Sequence, residues 1–365
     1  MDLGHRSGLR NMRLSNGLRM FAIGLLALTL GLRPGAYGIP GFDDNTGWIN
    51  SRPLGERDTS GKVVLVDFWD YTCINCLRTL PYLHAWYERY HDDGFTIISV
   101  HTPEFDFAGE RNNVEAATKR LNINWPVVLD AQQAIWRRYG NSSWPNEYLF
   151  DQDGRLVESV SGEGLYQETE TKIQSLLKAH DPKLTLPPVM ALLPQDSYDK
   201  PGAVCYLHTP EMLLMRSKIA NATDADNPRR DSPYTDSAAK YADGSIYLQG
   251  VWNVANQAAT SAGGPGYVAT RYHAIQVVAV LAPDSGASVR VDVTQDGAPL
   301  AKGDAGDDIQ YDAGGMSYVT VDASRAYDLV MNAKMAYHNL RLSTDDARLH
   351  VYSFDFESCE APTGS

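Results

Sequence analysis

Residues Lys62–Trp69 (KVVLVDFW) form an apolar, β-branched run, and Cys73-Ile74-Asn75-Cys76 follows at the head of a stretch with helical periodicity. A strand this apolar is buried on both faces and needs covering layers on both. A strand that feeds directly into a helix builds an alternating α/β domain. The pattern continues downstream. Cys73–Tyr90 places Leu77, Leu80, Leu83, Tyr87 and Tyr90 near one helical face, with Pro81 predicted to kink it. Phe95–His101 reads as a second buried strand, Val114–Leu121 as a helix, Trp125–Leu129 as a short strand and Ala131–Tyr139 as a helix. Glu147–Phe150 and Arg155–Val160 flank the turn Asp153-Gly154 as a hairpin, and Tyr166–His180 closes as an amphipathic helix. Ile39–Gly61 reads as an irregular lead-in.

The pattern changes after a stretch with five prolines (182, 187, 188, 194 and 201), which reads as a linker over residues 181–201. Beyond it, Ser245–Val251, Ala274–Leu281, Ser288–Thr294, Met316–Val321, Tyr327–Met331, Asn339–Ser343 and Arg348–Phe356 read as short strands with no helical pattern between them. That predicts an all-β sandwich over 202–360, after an α/β domain over 39–180. A length of 365 residues suits two domains.

The first 38 residues differ in charge from the rest. Five arginines against one aspartate give +4, so the remainder carries −17 of the total of −13. The acidic body argues against nucleic acid as a partner. Arg6, Arg10, Arg13 and Arg19 precede the uncharged run Met20–Leu32, and Ala36-Tyr37-Gly38 supplies small residues for cleavage. Residues 1–38 therefore read as a signal peptide or a membrane anchor, and either one places the body outside the cytoplasm, in the periplasm or cell envelope.

A CxxC pair at a helix N-terminus faces unpaired N–H groups and the positive end of the helix dipole, which favour the thiolate. The spacing lets Cys76 reach Cys73 once Cys73 is in a mixed disulfide. The redox-active disulfide Cys73–Cys76 needs no cofactor. A zinc site would need a second close Cys/His pair, and only His84 and His91 are near, so no metal is expected. Asp67, inside the first strand, can accept the proton of the resolving thiol if burial raises its pKa. The alternative is an aspartate that ends the strand and caps it locally. Pro145 precedes a strand and can be cis, which its position alone leaves open.

The run Val64–Cys76 (VLVDFWDYTCINC), with Pro81 and Pro145 at these offsets, resembles the thioredoxin superfamily. Phe68–Cys76, Val100–Phe105, Trp144–Leu149, Gly162–Tyr166 and the later Tyr327–Val330 are closer still to exported thioredoxins of the TlpA/DipZ type, over roughly 42–356. The resemblance implies a thioredoxin fold followed by a jelly-roll sandwich like a carbohydrate-binding module. It also implies Cys73 as nucleophile, Cys76 as resolving cysteine and Pro145 as the cis-proline beside them. Trp69, Asp70, His101, Glu104 and Trp144 are candidates to line the site; for His101 and Glu104, at the carboxyl end of the second strand, the alternative is a loop histidine and a glutamate that caps the next helix. Asp70 stands where this motif usually has an uncharged residue, and a carboxylate there disfavours the Cys73 thiolate unless it points to solvent. DipZ proteins carry a multi-helix membrane domain that passes electrons outward. The sequence shows none, so a separate membrane electron donor is expected.

Cys205 and Cys359 bracket the β-region, and a disulfide between them would add ~4 kcal/mol for a loop this long. The alternatives are two free thiols or an exchange role with the CxxC. Tyr247, Trp252, Tyr267 and Tyr272 either form a platform for a glycan or belong to the core. Asp304, Asp307 and Asp308 make an acidic loop, solvated or binding calcium. Asn141 and Asn221 fit the glycosylation pattern. The function expected is a thiol–disulfide oxidoreductase, in the main a reductant of exported protein disulfides. A thiol peroxidase is the alternative enzyme, although the residues around Thr72-Cys73 lack the proline and threonine spacing of a peroxidatic site. The third possibility is a binding module on a redox scaffold.

Overall fold

A computed structural model describes residues 38–193, 196, 204–223 and 230–360. The expected signal or anchor at 1–37 lies outside the described residues, as does most of 194–201. Among the described residues, no helix is long and apolar enough to cross a membrane.

The first domain holds β1 (Gly47–Ile49), α1 (Glu56–Thr59), β2 (Val63–Trp69), α2 (Ile74–Tyr90), β3 (Phe95–His101), α3 (Arg111–Arg120), β4 (Val127–Leu129), α4 (Ala134–Tyr139), β5 (Asn146–Phe150), β6 (Leu156–Ser161) and α5 (Tyr166–His180). The sheet order is β1-β4-β3-β2-β5-β6. β2, β3 and β4 run parallel, and β5 and β6 add an antiparallel hairpin beside β2. Every residue of β2 is buried, as its apolar run demands, and Asp67 is buried with it. Alternate residues feed two cores. Leu65 and Trp69 point to one side, with Leu83 and Trp86 of α2, and Val66 and Phe68 to the other, with Ile135 and Tyr139 of α4. The lead-in is not wholly irregular, because Gly47–Ile49 adds an edge strand against β4. Three residues at an edge carry too little pattern to betray a strand. α2 runs on through Pro81.

Residues 181–193 do not hang free between the domains. Leu184, Leu186, Met190, Leu192 and Leu193 pack against the α2–α5 side of the first domain. The backbone amide of Met190 donates to Glu170 Oε2 at 2.7 Å, and that of Leu193 donates to Tyr82 Oη at 2.9 Å. Tyr82 Oη in turn donates to the buried Asp196 at 2.6 Å. The prolines make the segment extended, and its leucines make it a strap.

The second domain comprises β7 (Val204–Cys205), β8 (Met212–Leu213), β9 (Ser232–Tyr234), β10 (Ser245–Val254), β11 (Ala259–Ser261), β12 (Gly266–Pro283), β13 (Val289–Gln295), β14 (Ala298–Pro299), β15 (Gln310–Tyr311), β16 (Ser317–Val321), β17 (Arg325–Thr344), β18 (Leu349–Glu357) and β19 (Cys359–Glu360). β12 and β17 pair with each other nearly throughout. The first half of β12 also pairs with β10 and its second half with β18, so the long strands join two layers across bulges near Ala274 and Val277. Two segments expected as separate strands, 327–331 and 339–343, are parts of β17. This order defines a β-rich domain and does not by itself specify a jelly roll. Cys205 and Cys359 face each other in a two-stranded pair, β7 with β19, and form a disulfide.

Of the two alternatives for the four aromatic residues, the structure favours the core. Trp252 and Tyr272 are 1% and 0% exposed in the β-core. Tyr247 stacks on Tyr241, and Tyr267 donates its hydroxyl to Asp236 beneath Arg341. A glycan therefore finds no platform on these four rings. Asp308 of the acidic loop is held by Arg325 through two hydrogen bonds. Asn141 and Asn221 both donate their side-chain amides to backbone carbonyls. The described residues form one compact unit, in which Val278, Val280 and Ala326 of the β-domain join the core of the first.

Candidate active site

Cys73 is the N-cap of α2. Its backbone carbonyl accepts from Leu77 N at 3.1 Å, and its Sγ accepts from Cys76 N at 3.2 Å. A hydrogen bond from a helix N-terminal amide stabilises a thiolate, which is why the first cysteine belongs at this position. Cys73 is partly exposed, whereas Cys76 lies buried one turn in, and neither is bridged. Burial pushes the Cys73 thiol up, against the Cys76 hydrogen bonds, while Asp70 and Asp355 add to the rise. Burial, Cys73 and Asp67 together push Cys76 well above an ordinary thiol.

Asp67 lies beneath them on β2, 1% exposed. Its Oδ2 accepts from Ser99 Oγ at 2.8 Å, and Ser99 Oγ accepts from Trp125 Nε1 at 2.8 Å. Oδ1 has no hydrogen-bond partner among the described residues. Burial raises the Asp67 carboxyl to about 7, a value at which it can take and return a proton near neutrality. Opposite it in register on β5 stands Glu147, raised to about 8 by burial and by Asp67. Sequence reading missed Glu147. A glutamate among buried strand positions was the available signal.

Asp70 does not point to solvent. It is fully buried and accepts from Thr72 N at 3.1 Å and from Glu104 N at 2.7 Å. His101 Nε2 lies 3.4 Å from its Oδ1, and the His101 ring stacks on Tyr71 and meets Trp69 edge-on. Asp70 thereby ties the loop before Cys73 to the loop after β3. The Trp144–Pro145 bond is cis. Because Phe68 pairs with Asn146, Pro145 sits beside the end of β2, where the chain turns towards Cys73. Trp144 donates from Nε1 to the Thr102 carbonyl at 3.0 Å. Trp69, Asp70, His101, Glu104, Trp144 and Pro145 thus gather around the carboxyl ends of β2 and β3, where an open α/β sheet places its chemistry.

Three further groups were not legible as site residues. Arg78 on α2 pairs with Glu163 at 3.3 Å and Glu357 at 3.4 Å, and Gln276 also accepts from it. Glu211 and Asp355 come from the β-domain. Burial raises Glu104 and Glu211 together, and raises Asp355 beside Glu211 and Glu357. Among the described residues, no group of three or more His, Cys, Asp or Glu is arranged to hold a metal ion.

A dithiol at the head of a helix, a cis-proline beside the same strand end and a buried carboxyl below define a thioredoxin-fold redox protein. The AhpC/TSA family matches residues 40–159, and the thioredoxin-like C-terminal domain family matches residues 209–356. Protein DipZ of Mycobacterium tuberculosis is 35% identical over 263 residues, which cover 71% of this chain and 36% of DipZ. The chain thus spans about a third of that relative's length. Thiol-disulfide oxidoreductase ResA of Bacillus anthracis is 31% identical over 134 residues, 37% of this chain and 72% of ResA. Among solved structures, a thiol-disulfide isomerase of Corynebacterium glutamicum aligns with 37% of this chain and 92% of its own, at 21% identity and a TM-score of 0.34. The chain belongs to the TlpA/DipZ-type family of thioredoxin-like thiol–disulfide oxidoreductases.

Proposed function

We propose that this protein reduces disulfides of exported proteins through Cys73 and Cys76. The observation that carries the reading is the partly exposed residue Cys73, whose Sγ accepts from Cys76 N at the head of α2 while Cys76 lies buried one turn in. The Cys73 thiolate attacks one sulfur of the substrate disulfide and forms a mixed disulfide. The displaced substrate sulfur takes up a proton. Cys76 then gives its proton to Asp67, attacks Cys73 Sγ and expels the second substrate sulfur. Two electrons have passed to the substrate, and Cys73–Cys76 is left oxidised. Pro145 and Trp144 shape the surface beside Cys73 on which the substrate backbone rests.

Negative charge around Cys73 supports the reducing direction, since a disfavoured thiolate makes the dithiol readier to give up its electrons. The basic and apolar N-terminal segment supports an extracytoplasmic location, by signal peptide or anchor, with a separate membrane protein returning the electrons. The deciding measurement is the reduction potential of the pair in a Cys205→Ser/Cys359→Ser variant, where one couple titrates. A value towards thioredoxin's (about −270 mV) is expected, and one near −120 mV would mark an oxidant. The AhpC/TSA match favours a second reading, a thiol peroxidase. Peroxide-dependent oxidation of Cys73 with steady turnover would establish it.

A further inference from the structure

The α2–α5 side of the first sheet carries a row of carboxyls that an apolar core does not need. Residues two apart line one face of a strand, so Asp67 shares its face with Leu65 and Trp69, and Glu147 shares its face with Leu149. Both look into the core beneath α2 and α5. Asp67 and Glu147 stand directly opposite each other in the antiparallel pair of β2 and β5. Such partners have Cβ atoms about 4.5–5.5 Å apart. On the far side of β5, Glu147 faces Val160 and Leu149 faces Glu158. Glu158 is therefore the diagonal neighbour of Glu147 on the same face, within reach of a long side chain. Its Oε1 accepts from Lys172 of α5, which is exposed. Asp67, Glu147 and Glu158 thus step across β2, β5 and β6, from beneath the dithiol to the surface at α5. Two of these carboxyls keep an oxygen free. Asp67 Oδ1 and Glu158 Oε2 are buried without a hydrogen-bond partner among the described residues, and so is Thr169 Oγ1 of α5, one turn before Ile173 of the same core. A buried acceptor left open is costly, and this side of the sheet keeps three.

We propose that Glu147 is a positioning residue of the redox site: acting through Asp67, it carries the Cys76 proton across β5 to Glu158 and the solvent. The inference rests on the dithiol reading above. The charged and titratable groups that face Glu147 are Asp67 from β2, Glu158 from β6 and, through Glu158, Lys172 from α5, with Cys76 of α2 beyond Asp67. Burial first, then Asp67 and Glu158, raise the Glu147 carboxyl to about 8, and burial raises Asp67 to about 7. Near neutrality Asp67 is therefore the carboxyl that ionises, and Glu147 the one that holds a proton. When Asp67 takes the Cys76 proton, its negative charge, one of the causes that keep the proton on Glu147, is gone. Glu147 passes its proton to Glu158 Oε2 and on to water at Lys172. The proton on Asp67 then moves over to Glu147. One proton has left Cys76, one has entered the solvent, and both carboxyls are back where they began.

The test follows sulfur and proton separately. Full-length protein, reduced at Cys73–Cys76 with Cys205–Cys359 left bridged, is mixed with dithiobis(nitrobenzoate) in weak buffer near pH 8, where Asp67 must give its proton up again. Cys73 attacks the reagent and releases one thionitrobenzoate. Cys76 then attacks Cys73 Sγ, forms the intramolecular disulfide and expels the second. The yellow thiolate reports each sulfur step, and an indicator dye reports each proton. In the parent, the second proton is expected with the second thionitrobenzoate. In Glu147→Gln the second thionitrobenzoate should appear at the parent rate, and its proton should trail by about 10²-fold, the low end of what a positioned acid–base group contributes. Glu147→Asp should bring the two back together, a rescue that a merely structural role would not require. If Glu147→Gln fails to fold, as judged by near-UV circular dichroism, Glu158→Gln is read in its place and should show the same lag. A proton that keeps pace with the sulfur in the variant, whether both are fast or both are slow, overturns the proposal and leaves the dithiol reading standing. Absence of the second thionitrobenzoate in the parent would defeat the dithiol reading, and the proposal with it.

Discussion

The two domains treat buried polar atoms differently. Among the described residues, every buried side-chain polar atom without a hydrogen-bond partner lies between Trp48 and Thr169, and none lies in the β-domain. Five of them, on Asp67, Trp69, Tyr71, Thr72 and His101, cluster along β2, its following loop and the end of β3. In the β-domain the comparable groups are paired: Trp252 Nε1 donates to the Gln249 carbonyl at 2.8 Å, and Tyr272 Oη, Gln295 and Asn332 form a closed set. A buried polar group without a partner costs about 1–3 kcal/mol. A fold keeps such groups where chemistry needs them and satisfies them where it needs only a scaffold. The first domain is poised around its dithiol, and the second is a satisfied scaffold.

The comparison can be broken most decisively at Cys73. Cys73→Ser should reduce insulin-disulfide reduction to the uncatalysed background, while Cys76→Ser should accumulate a mixed disulfide visible by mass spectrometry. Retained activity in Cys73→Ser would move the chemistry elsewhere. Trp252→Ala, in the satisfied core, should cost about 3–5 kcal/mol in denaturant unfolding and leave the Cys73–Cys76 potential unchanged. Replacing Cys205 and Cys359 by serine should cost about 2–4 kcal/mol, again without loss of turnover. Loss of turnover there would mean that the second pair takes part in exchange.

Asp67→Asn should slow resolution of the mixed disulfide by about 10²-fold, as expected for removal of a general base. It should also stabilise the fold at high pH. The folded-state carboxyl titrates at about 7, above its ordinary 3.8, so the folded protein holds a proton that the unfolded chain has already lost. Asp67 therefore opposes folding increasingly as pH rises from about 4 to 7. The variant should gain roughly 2–4 kcal/mol over the parent at pH 8 and nothing at pH 4, read by unfolding at both. Arg78→Ala, which breaks part-exposed ion pairs with Glu163 of its own domain and with Glu357 of the β-domain, should cost only about 1 kcal/mol in stability. A much larger loss would mean that the Arg78–Glu357 pair, rather than Val278, Val280 and Ala326, holds the domains together.

What the sequence made legible follows the same division. The dithiol, Asp67 and Pro145 could be picked out because each is a local anomaly: a spaced cysteine pair, a charge in an apolar run, a proline before a strand. Tyr166–His180 was readable to its ends because an amphipathic helix repeats its pattern over several turns. β12 and β17 were read as shorter pieces because a strand that passes from one layer to another breaks its alternation at the bulge, and a broken pattern looks like a turn. The aromatic residues of the β-region gave no hint of which face they occupy. The pairing of Glu357 with Arg78 was invisible because nothing local marks a carboxylate that meets a distant part of the chain.

The strap of residues 184–193 has a practical consequence for dissecting the molecule. A fragment cut at His180, where the last helix of the first domain ends, would bare the surface that the five apolar strap residues cover and would strip Tyr82 and Glu170 of backbone partners. A redox domain prepared in isolation should therefore extend at least to Asp196. A fragment ending earlier would invite self-association through the uncovered side of α2 and α5, and its behaviour would report on that artefact.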